Sequence, residues 1–240
     1  MITQKVRQQG KSDMRRQWIG GLPERMASLP VDHRGFPVPY FVQWQNGKPL
    51  FPVMDTRKFV QAVRGGLCWV CGQKTFAYKC FVIGPMCCIN RINSEPPNHY
   101  ECARFSALNC PFLSQPRMRR VTTTSEDGEI IYRDEVMGRP AGHMIERNPG
   151  VSCIWITKSF KPFDPGGGGV LFDLGPAVRL EFYANGRQAR RSEVEESVRT
   201  GLPALLAAAE KDGPEGVKEM EVRHRAFLAA LDDVKWDVAA

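Results

Sequence analysis

The chain has 240 residues, of which 42% are hydrophobic and 25% are charged, so it can bury a full-sized core. Its first residues carry scattered charges, and no segment approaches the roughly 18 uninterrupted apolar residues of a membrane span. We therefore expect no secretory signal and no membrane partner, but a soluble cytoplasmic protein whose cysteines stay reduced or bind metal.

The net charge of +7 is divided unequally along the chain. Residues 1–120 contain 18 Lys and Arg against 6 Asp and Glu, whereas residues 121–240 contain 15 against 20. A basic half predicts a polyanionic partner, nucleic acid above all. The alternative interpretation is that the two halves neutralise each other across an intramolecular interface.

The basic half contains a predicted hairpin and a predicted helix. Apolar runs at 40–45 and 48–53 flank Asn46-Gly47, the pair that favours a two-residue type I′ turn. A helix is predicted next, through about Arg64, with Asp55 or Thr56 as the N-cap whose side-chain oxygen accepts the first backbone N–H groups. Gly65-Gly66 should end that helix, because glycine adopts the left-handed conformation without a steric penalty.

Strand patterns come next in the acidic half. Residues 151–157 and 170–174 are apolar runs separated by a loop with four glycines, which predicts a hairpin between them. Residues 178–184 alternate between apolar and polar side chains, as a half-buried strand does. Asn185-Gly186 then predicts a second tight turn.

The chain ends in predicted helices. Ser192-Glu193-Val194-Glu195 has the capping-box pattern with the serine as N-cap, and Gly201 should stop this helix. Further helices are predicted at 203–212 and 214–234. The apolar side chains expected to pack on the second sheet are Val194, Val198, Leu202, Leu205, Leu206, Phe227, Leu228 and Leu231.

Seven of the eight cysteines lie between Cys68 and Cys110, which is the strongest functional signal in the sequence. Cys68 and Cys71 have two residues between them, the spacing of a knuckle that points two sulfurs at one metal ion. Gly72 follows at once and lets the chain turn away sharply. This pair predicts one half of a metal site.

The other half of the site is predicted at His99 and Cys102. They follow two prolines and Asn98, a helix-start signal in which Asn98 is the expected N-cap. Three residues apart in a first helical turn, both side chains lie on one face and can reach the same ion. Cys87 or Cys110 could replace His99 as the fourth ligand, which would make every ligand a thiolate.

The order of knuckle, hairpin or strand, and helix resembles a treble-clef zinc finger over residues 67–110. Closed sets of thiolate and imidazole ligands at this spacing favour zinc. An iron–sulfur cluster, buried free thiols or a redox Cys-x-x-Cys pair are the alternatives. Cys153 lies in an apolar strand and is expected to be a core residue.

The segment around 81–87 and 110–112 also resembles a family of uncharacterised bacterial and phage proteins, which implies no activity.

Treble clefs also house metal-dependent nucleases, whose chemistry needs a histidine base on the hairpin. Residues 73–95 contain no histidine, and His33, His143 and His224 lie elsewhere. Gly166–Gly169 lacks the following Lys-Ser/Thr of a phosphate-cradling loop. We therefore predict a non-catalytic protein, and a metal-dependent nucleic-acid enzyme stays an alternative.

Cations and aromatic rings surround the cysteine-rich segment. Cations that neutralise phosphates, beside rings that stack on bases, are what nucleic-acid-binding proteins use. The predicted DNA or RNA contacts are Arg91, Arg104, Arg117, Arg119, Arg120 and Trp69. The rings of Phe76, Tyr78 and Phe105 interleave with the cations in the sequence. The alternatives are a solvated basic face around a small aromatic core, and a protein-binding regulator such as a phage-type inhibitor or adaptor.

As a whole, the sequence predicts an α+β protein with small antiparallel sheets, a treble-clef-like zinc module and C-terminal helices. Its segments are a basic arm with hairpin and helix in 1–66, the zinc module in 67–113 and an α+β region in 114–240. The last segment opens with a polar excursion, 114–150, in which one strand is predicted at Glu129–Tyr132. We expect zinc as the cofactor and nucleic acid as the partner of the basic half.

Overall fold

Helices and small antiparallel sheets make up the computed structural model, which describes residues 17–114, 148–166 and 169–236. The predicted α+β class and the helical C-terminus are therefore confirmed. The strand predicted at Glu129–Tyr132 lies outside the described residues, and so do Arg117, Arg119 and Arg120. No helix within the described ranges combines the length and the apolar character that crossing a bilayer requires.

The predicted hairpin in the basic half is confirmed. Strands β1 (Val42–Gln45) and β2 (Lys48–Met54) pair antiparallel in a two-stranded sheet. Asn46 and Gly47 connect them with φ of 48° and 74°, the positive values that a type I′ turn needs at both central positions.

Helix α1 (Thr56–Gly65) begins and ends where the sequence predicts. The Asp55 carboxylate accepts the backbone N–H groups of Arg57 at 2.9 Å and Lys58 at 3.3 Å. These bonds satisfy two donors that a first helical turn leaves unpaired. Gly66 ends the helix in the left-handed region with φ of 62°.

The largest sheet is built on a fully buried strand. Its members are β3 (Lys79–Ile83), β5 (Ser152–Thr157), β8 (Ala177–Ala184) and β9 (Arg187–Gln188), in the order β3-β5-β8-β9. All six residues of β5 are buried, because neighbouring strands pair with both of its edges and packed side chains cover both of its faces. Cys153 and Trp155 pack in one core cluster, whereas Ile154 and Ile156 pack in another on the opposite face.

The second sheet contains β4 (Ile92–Asn93), β6 (Phe160–Phe163) and β7 (Leu171–Leu174), in the order β4-β7-β6. The glycine-rich loop therefore joins β6 to β7, and the predicted hairpin between 151–157 and 170–174 is wrong. The physical reason is that β3 and β8 occupy both edges of β5, so no edge remains for β7. The predicted turn at Asn185 and Gly186 is confirmed, with φ of 52° and 71°.

Shorter helices precede the central strand and longer ones follow the last strand. They are α2 (Pro85–Asn90), α3 (Tyr100–Asn109), α4 (Pro111–Ser114), α5 (Arg191–Ala209) and α6 (Pro214–Ala230). The predicted stop at Gly201 is wrong, since α5 continues through Gly201 and Pro203. Proline inside a helix costs about 3 kcal/mol, and burial of the face that carries Val198 and Leu205 offsets this cost.

The start of α5 also differs from the prediction. Arg190, rather than Ser192, is the N-cap, and its backbone N–H donates to the Glu193 carboxylate at 2.8 Å. The Arg187 guanidinium donates to both oxygens of Glu193 at 2.7 and 2.9 Å, and this contact lowers the pKa of Glu193. The paired carboxylate fixes the third helical position, so the helix begins two residues earlier than the serine pattern indicates.

The C-terminal helices pack on the main sheet, which contains the strands predicted at 151–157 and 178–184. Val194, Val198, Leu205, Phe227 and Leu231 are buried in one core cluster with Phe81 and Phe182 from strands β3 and β8. Leu202 and Leu228 pack against the edge of this cluster, which does not include Leu206. The two long helices are therefore part of the same core as the sheet.

The contact between Tyr40 and Gly72 allows a test with a matched control. Gly72 and Gly47 both have φ of +74°, so alanine incurs the same backbone strain at each position. A Cβ on Gly72 would lie 2.7 Å from Cδ2 of Tyr40, whereas one on Gly47 meets nothing within 4 Å. Gly72→Ala should lower the free energy of unfolding in urea by about 1–3 kcal/mol more than Gly47→Ala. Equal effects of the two substitutions would contradict the packing described here.

Candidate metal centre

Four buried side chains meet at the start of helix α3. Cys68, Cys71, His99 and Cys102 are between 0% and 9% exposed, and their sulfur or nitrogen ligand atoms all lie within 4.8 Å of one another. These are the residues that their spacing in the sequence selects as first-choice ligands. Three thiols and one imidazole at this separation could hold a metal ion.

A tight turn sets the positions of the first two sulfurs. The Cys68 N–H donates to the Gln73 carbonyl at 2.7 Å, and the Gly72 N–H donates to the Cys68 carbonyl at 2.8 Å. Gly72 closes the turn with φ of 74°, which glycine adopts without a Cβ clash. The Cys71 N–H points back at the Cys68 sulfur at 3.5 Å. This is the local geometry that the Cys-x-x-Cys-Gly pattern predicts.

The second pair of side chains lies at the start of α3. The helix begins at Tyr100, so His99 occupies the N-cap position with an extended backbone, and Cys102 lies in the first turn. The prediction that Asn98 is the N-cap is wrong. Its side-chain amide instead donates to the Cys80 carbonyl at 3.3 Å, which binds this segment to strand β3.

The orientation of the His99 ring is fixed from outside the cluster. Its Nε2 is 2.9 Å from the Lys74 carbonyl oxygen, while its Nδ1 is 3.3 Å from the Cys71 sulfur. A carbonyl oxygen can only accept, so Nε2 must carry the proton. In the neutral ring, the lone pair of Nδ1 then points into the cluster, as metal-binding histidines require.

Hydrogen bonds also prepare the sulfurs for a cation. The Cys68 sulfur accepts backbone N–H groups from Cys71 at 3.5 Å and His99 at 3.4 Å. Contacts with Cys102 and Cys68 lower the pKa of Cys71 to about 3, whereas contacts with Cys68 and Cys71 raise the pKa of Cys102. The closely packed sulfurs thus compete for protons, and a metal ion is the natural replacement for those protons.

The chain between the two ligand pairs contains strand β3, helix α2 and strand β4 instead of a local hairpin. Strand β3 pairs with the distant β5 and meets the ligand segment through an isolated bridge between Cys80 and Asn98. The backbones of these two residues exchange hydrogen bonds of 3.1 and 2.7 Å. The start of α3 is therefore attached directly to the edge of the main sheet.

The alternative ligands lie away from the cluster. Cys110 ends helix α3, about 12 Å along the helix axis from Cys102, and Cys87 packs against the main core from α2. Cys80 and Cys153 are fully buried, and burial raises the pKa of Cys80 to about 12. Cys153 is a core residue, as predicted. None of these four belongs to the group of ligand atoms at His99.

The structure separates the predicted nucleic-acid contacts. Trp69 is only 2% exposed and stacks on Phe41 at 5.1 Å between ring centroids, so its predicted contact with a base is wrong. Arg91 is half-buried and lies 6.0 Å from the Trp155 ring, beside a cavity of about 180 Å³. Arg104 is exposed on α3. Neither arginine belongs to the metal cluster.

Sequence patterns did not identify Lys158 as a neighbour of the basic segment. Lys79 pairs with Thr157 across strands β3 and β5, which brings Lys158 to within 5.5 Å of the Tyr78 ring. Lys158 belongs to residues 121–240, the acidic half of the chain. Dividing the chain by its charge therefore separates Lys158 from the basic residues beside which it lies in the fold. Only the pairing of two strands far apart in sequence could have revealed it.

No protein-family model, curated protein or solved structure matches this chain. Any interpretation of the centre therefore depends on the geometry of its own residues.

Ligand substitutions test the centre against equally buried cysteines. Cys68→Ser or Cys71→Ser should abolish metal content, measured by elemental analysis, because serine is a poor ligand for a soft site. Cys80→Ser and Cys153→Ser should keep full metal content, and His99→Ala should lower it. Full retention in His99→Ala, combined with a metal-free Cys87→Ser or Cys110→Ser variant, would identify a different fourth ligand.

Proposed function

We propose that this chain binds one zinc ion in a closed structural site of treble-clef-like arrangement. The observation that supports it is a complete set of four buried protein ligands, Cys68, Cys71, His99 and Cys102. Structural zinc sites fill all four positions in this way, whereas catalytic sites keep one position open for water. The proposed role is therefore to organise the basic half rather than to catalyse a reaction.

The spacing of the donor atoms is compatible with tetrahedral zinc. Bonds of about 2.3 Å to sulfur and about 2.0–2.1 Å to nitrogen place those atoms about 3.5 Å apart across a tetrahedral angle. The Cys71 sulfur and His99 Nδ1 are 3.3 Å apart. Cys₃His is a common zinc set, while iron–sulfur clusters are mostly held by four thiolates.

Purified protein should contain about one zinc ion per chain. Chelation should lower the thermal unfolding midpoint followed by circular dichroism, because the binding energy of a structural zinc is also folding energy. Restoring zinc should restore the midpoint. A brown protein that contains iron and labile sulfide, or one without any metal, would contradict the zinc assignment.

We further propose that the protein binds nucleic acid through the surface beside this centre. Lys74 donates to the Gly65 carbonyl at 2.6 Å, Lys79 donates to the Thr75 hydroxyl at 2.9 Å, and Lys158 faces the Tyr78 ring. Within the described residues, none of the three lysines forms an ion pair. Positive charge without a carboxylate partner is available to phosphates.

Two arginines on the C-terminal helix α5 differ from the lysines beside the metal centre, because they form ion pairs. Arg191 pairs with Glu195 at 2.7 Å, and Arg199 pairs with Glu196 at 2.7 Å. The charges of these two arginines are compensated locally, so they attract a polyanion less strongly. Arg91, Arg104, Arg117, Arg119 and Arg120 stay predicted contacts.

Charge reversal at two exposed lysines tests the nucleic-acid proposal. Lys74→Glu with Lys158→Glu should weaken binding to a DNA or RNA oligonucleotide in a gel-shift titration. The dependence of log affinity on log salt should also become shallower, by about 0.7–0.9 for each phosphate that the variant no longer neutralises.

The control is Lys211→Glu with Lys218→Glu, which changes the net charge equally at exposed positions of the acidic half. It should leave affinity nearly unchanged. If the wild-type protein forms no complex with any DNA or RNA at low salt, the protein-binding regulator becomes the better hypothesis.

A further inference from the structure

Two aromatic rings protrude from the loop between the metal-binding turn and strand β3. Phe76 is 60% exposed and Tyr78 is 53% exposed, more than any other aromatic side chain of the described residues. Trp69 and Phe105, which belong to the same cysteine-rich segment, are 2% and 7% exposed. The structure therefore divides these rings into buried ones that pack the module and two that face solvent.

The metal centre and the neighbouring strand hold the Phe76 ring in place. The Phe76 ring lies 5.4 Å from the His99 imidazole and 4.9 Å from the Arg25 guanidinium. Lys79 donates to the Thr75 hydroxyl and to the Phe76 carbonyl. A ring that is already fixed loses little conformational entropy when it binds a partner.

Positive charge surrounds the same two rings. The Lys158 ammonium lies 5.5 Å from the Tyr78 ring centroid, and Lys74 and Lys79 flank the loop in sequence. Arg25 is partly compensated by Glu101, with its Nε 2.6 Å from the carboxylate. The three lysines supply the charge complementarity that selects an anionic partner with flat apolar groups.

From this juxtaposition we infer that Phe76 and Tyr78 form a stacking surface for unpaired bases, which makes the partner a single-stranded nucleic acid. This inference rests on the proposed nucleic-acid binding and narrows its substrate class. Rings that stack on bases, together with cations that follow the backbone, characterise single-strand binding that tolerates any sequence. The Cα atoms of residues 76 and 78 are at most about 7 Å apart. This separation is similar to that between neighbouring nucleotides of an extended single strand.

A duplex does not satisfy this surface. Bases within a duplex stack on each other, so only their edges are open to a protein in the grooves. An exposed ring could reach a base face only after that base had left the stack, which costs a few kcal/mol. The lysines would still attract a duplex through its phosphates, but the rings would contribute nothing.

Fluorescence anisotropy with the full-length zinc-loaded protein tests the inference. The probes are a labelled single-stranded oligonucleotide of mixed sequence and the same sequence as a duplex. Phe76→Ala and Tyr78→Ala should each weaken single-strand binding about 5- to 100-fold and leave duplex binding unchanged. Phe76→Trp should preserve single-strand affinity, because indole offers a stacking face of at least the same strength. Trp44→Ala, at a 37% exposed ring on strand β1, is the matched control and should bind like wild type.

Zinc content is measured for every variant, since Phe76 touches the His99 ring. If Phe76→Ala loses zinc, the affinity of the Tyr78→Ala variant for the single strand tests the inference instead. Single-strand affinity that stays at the wild-type value in Tyr78→Ala overturns the inference and leaves the proposed nucleic-acid binding intact. The same conclusion follows if the protein binds the duplex as tightly as the single strand and if neither ring substitution changes these affinities. Absence of binding to either probe overturns both proposals, and the ring pair would then fit a protein partner.

Discussion

The packing of three buried thiols against one imidazole is the constraint on which the basic half of this protein depends. Such a group is costly without a cation, because neither thiolates nor unpaired polar atoms are easily buried. The His99 ring connects three pieces of chain at this point. It contacts the Cys71 sulfur in the turn, donates to the Lys74 carbonyl and occupies the N-cap position of α3. A zinc ion bound there would join the turn to the helix through its ligands.

Helix α3 transmits this constraint to the rest of the fold because both of its sides are buried. Cys102 and Phe105 pack with Met26 and the cysteine turn on one side. Ala103, Ala107 and Leu108 pack on the other side against β5. The small alanines allow the helix to lie close to the sheet. Two tyrosines add polar contacts, since the hydroxyls of Tyr100 and Tyr183 donate to the Glu181 carboxylate at 3.0 and 2.8 Å.

The proposed binding surface follows from the same arrangement. The loop with Phe76 and Tyr78 starts at the cysteine turn and ends in strand β3, so the Cys/His cluster and the main sheet fix its two ends. Pairing of β3 with β5 adds Lys158 from the acidic half. The predicted division into a basic and an acidic half therefore holds along the sequence. In the folded protein, however, a lysine of the acidic half lies beside the basic segment.

The sequence by itself determined several features, because each of them depends only on interactions between neighbouring residues. The Asn46-Gly47 turn, the Asp55 cap, the Gly66 stop and the Cys-x-x-Cys-Gly turn each depend on backbone angles or hydrogen bonds within a few residues. The cluster of three cysteines and one histidine was predictable for the same reason, because each pair of side chains is placed by its own short segment. Tertiary structure alone decided which strand accompanies β7, that α5 continues through Pro203, and that Trp69 is buried while Phe76 and Tyr78 are exposed. These outcomes depend on burial, and burial is set by segments far apart in the chain, whose approach no local pattern encodes.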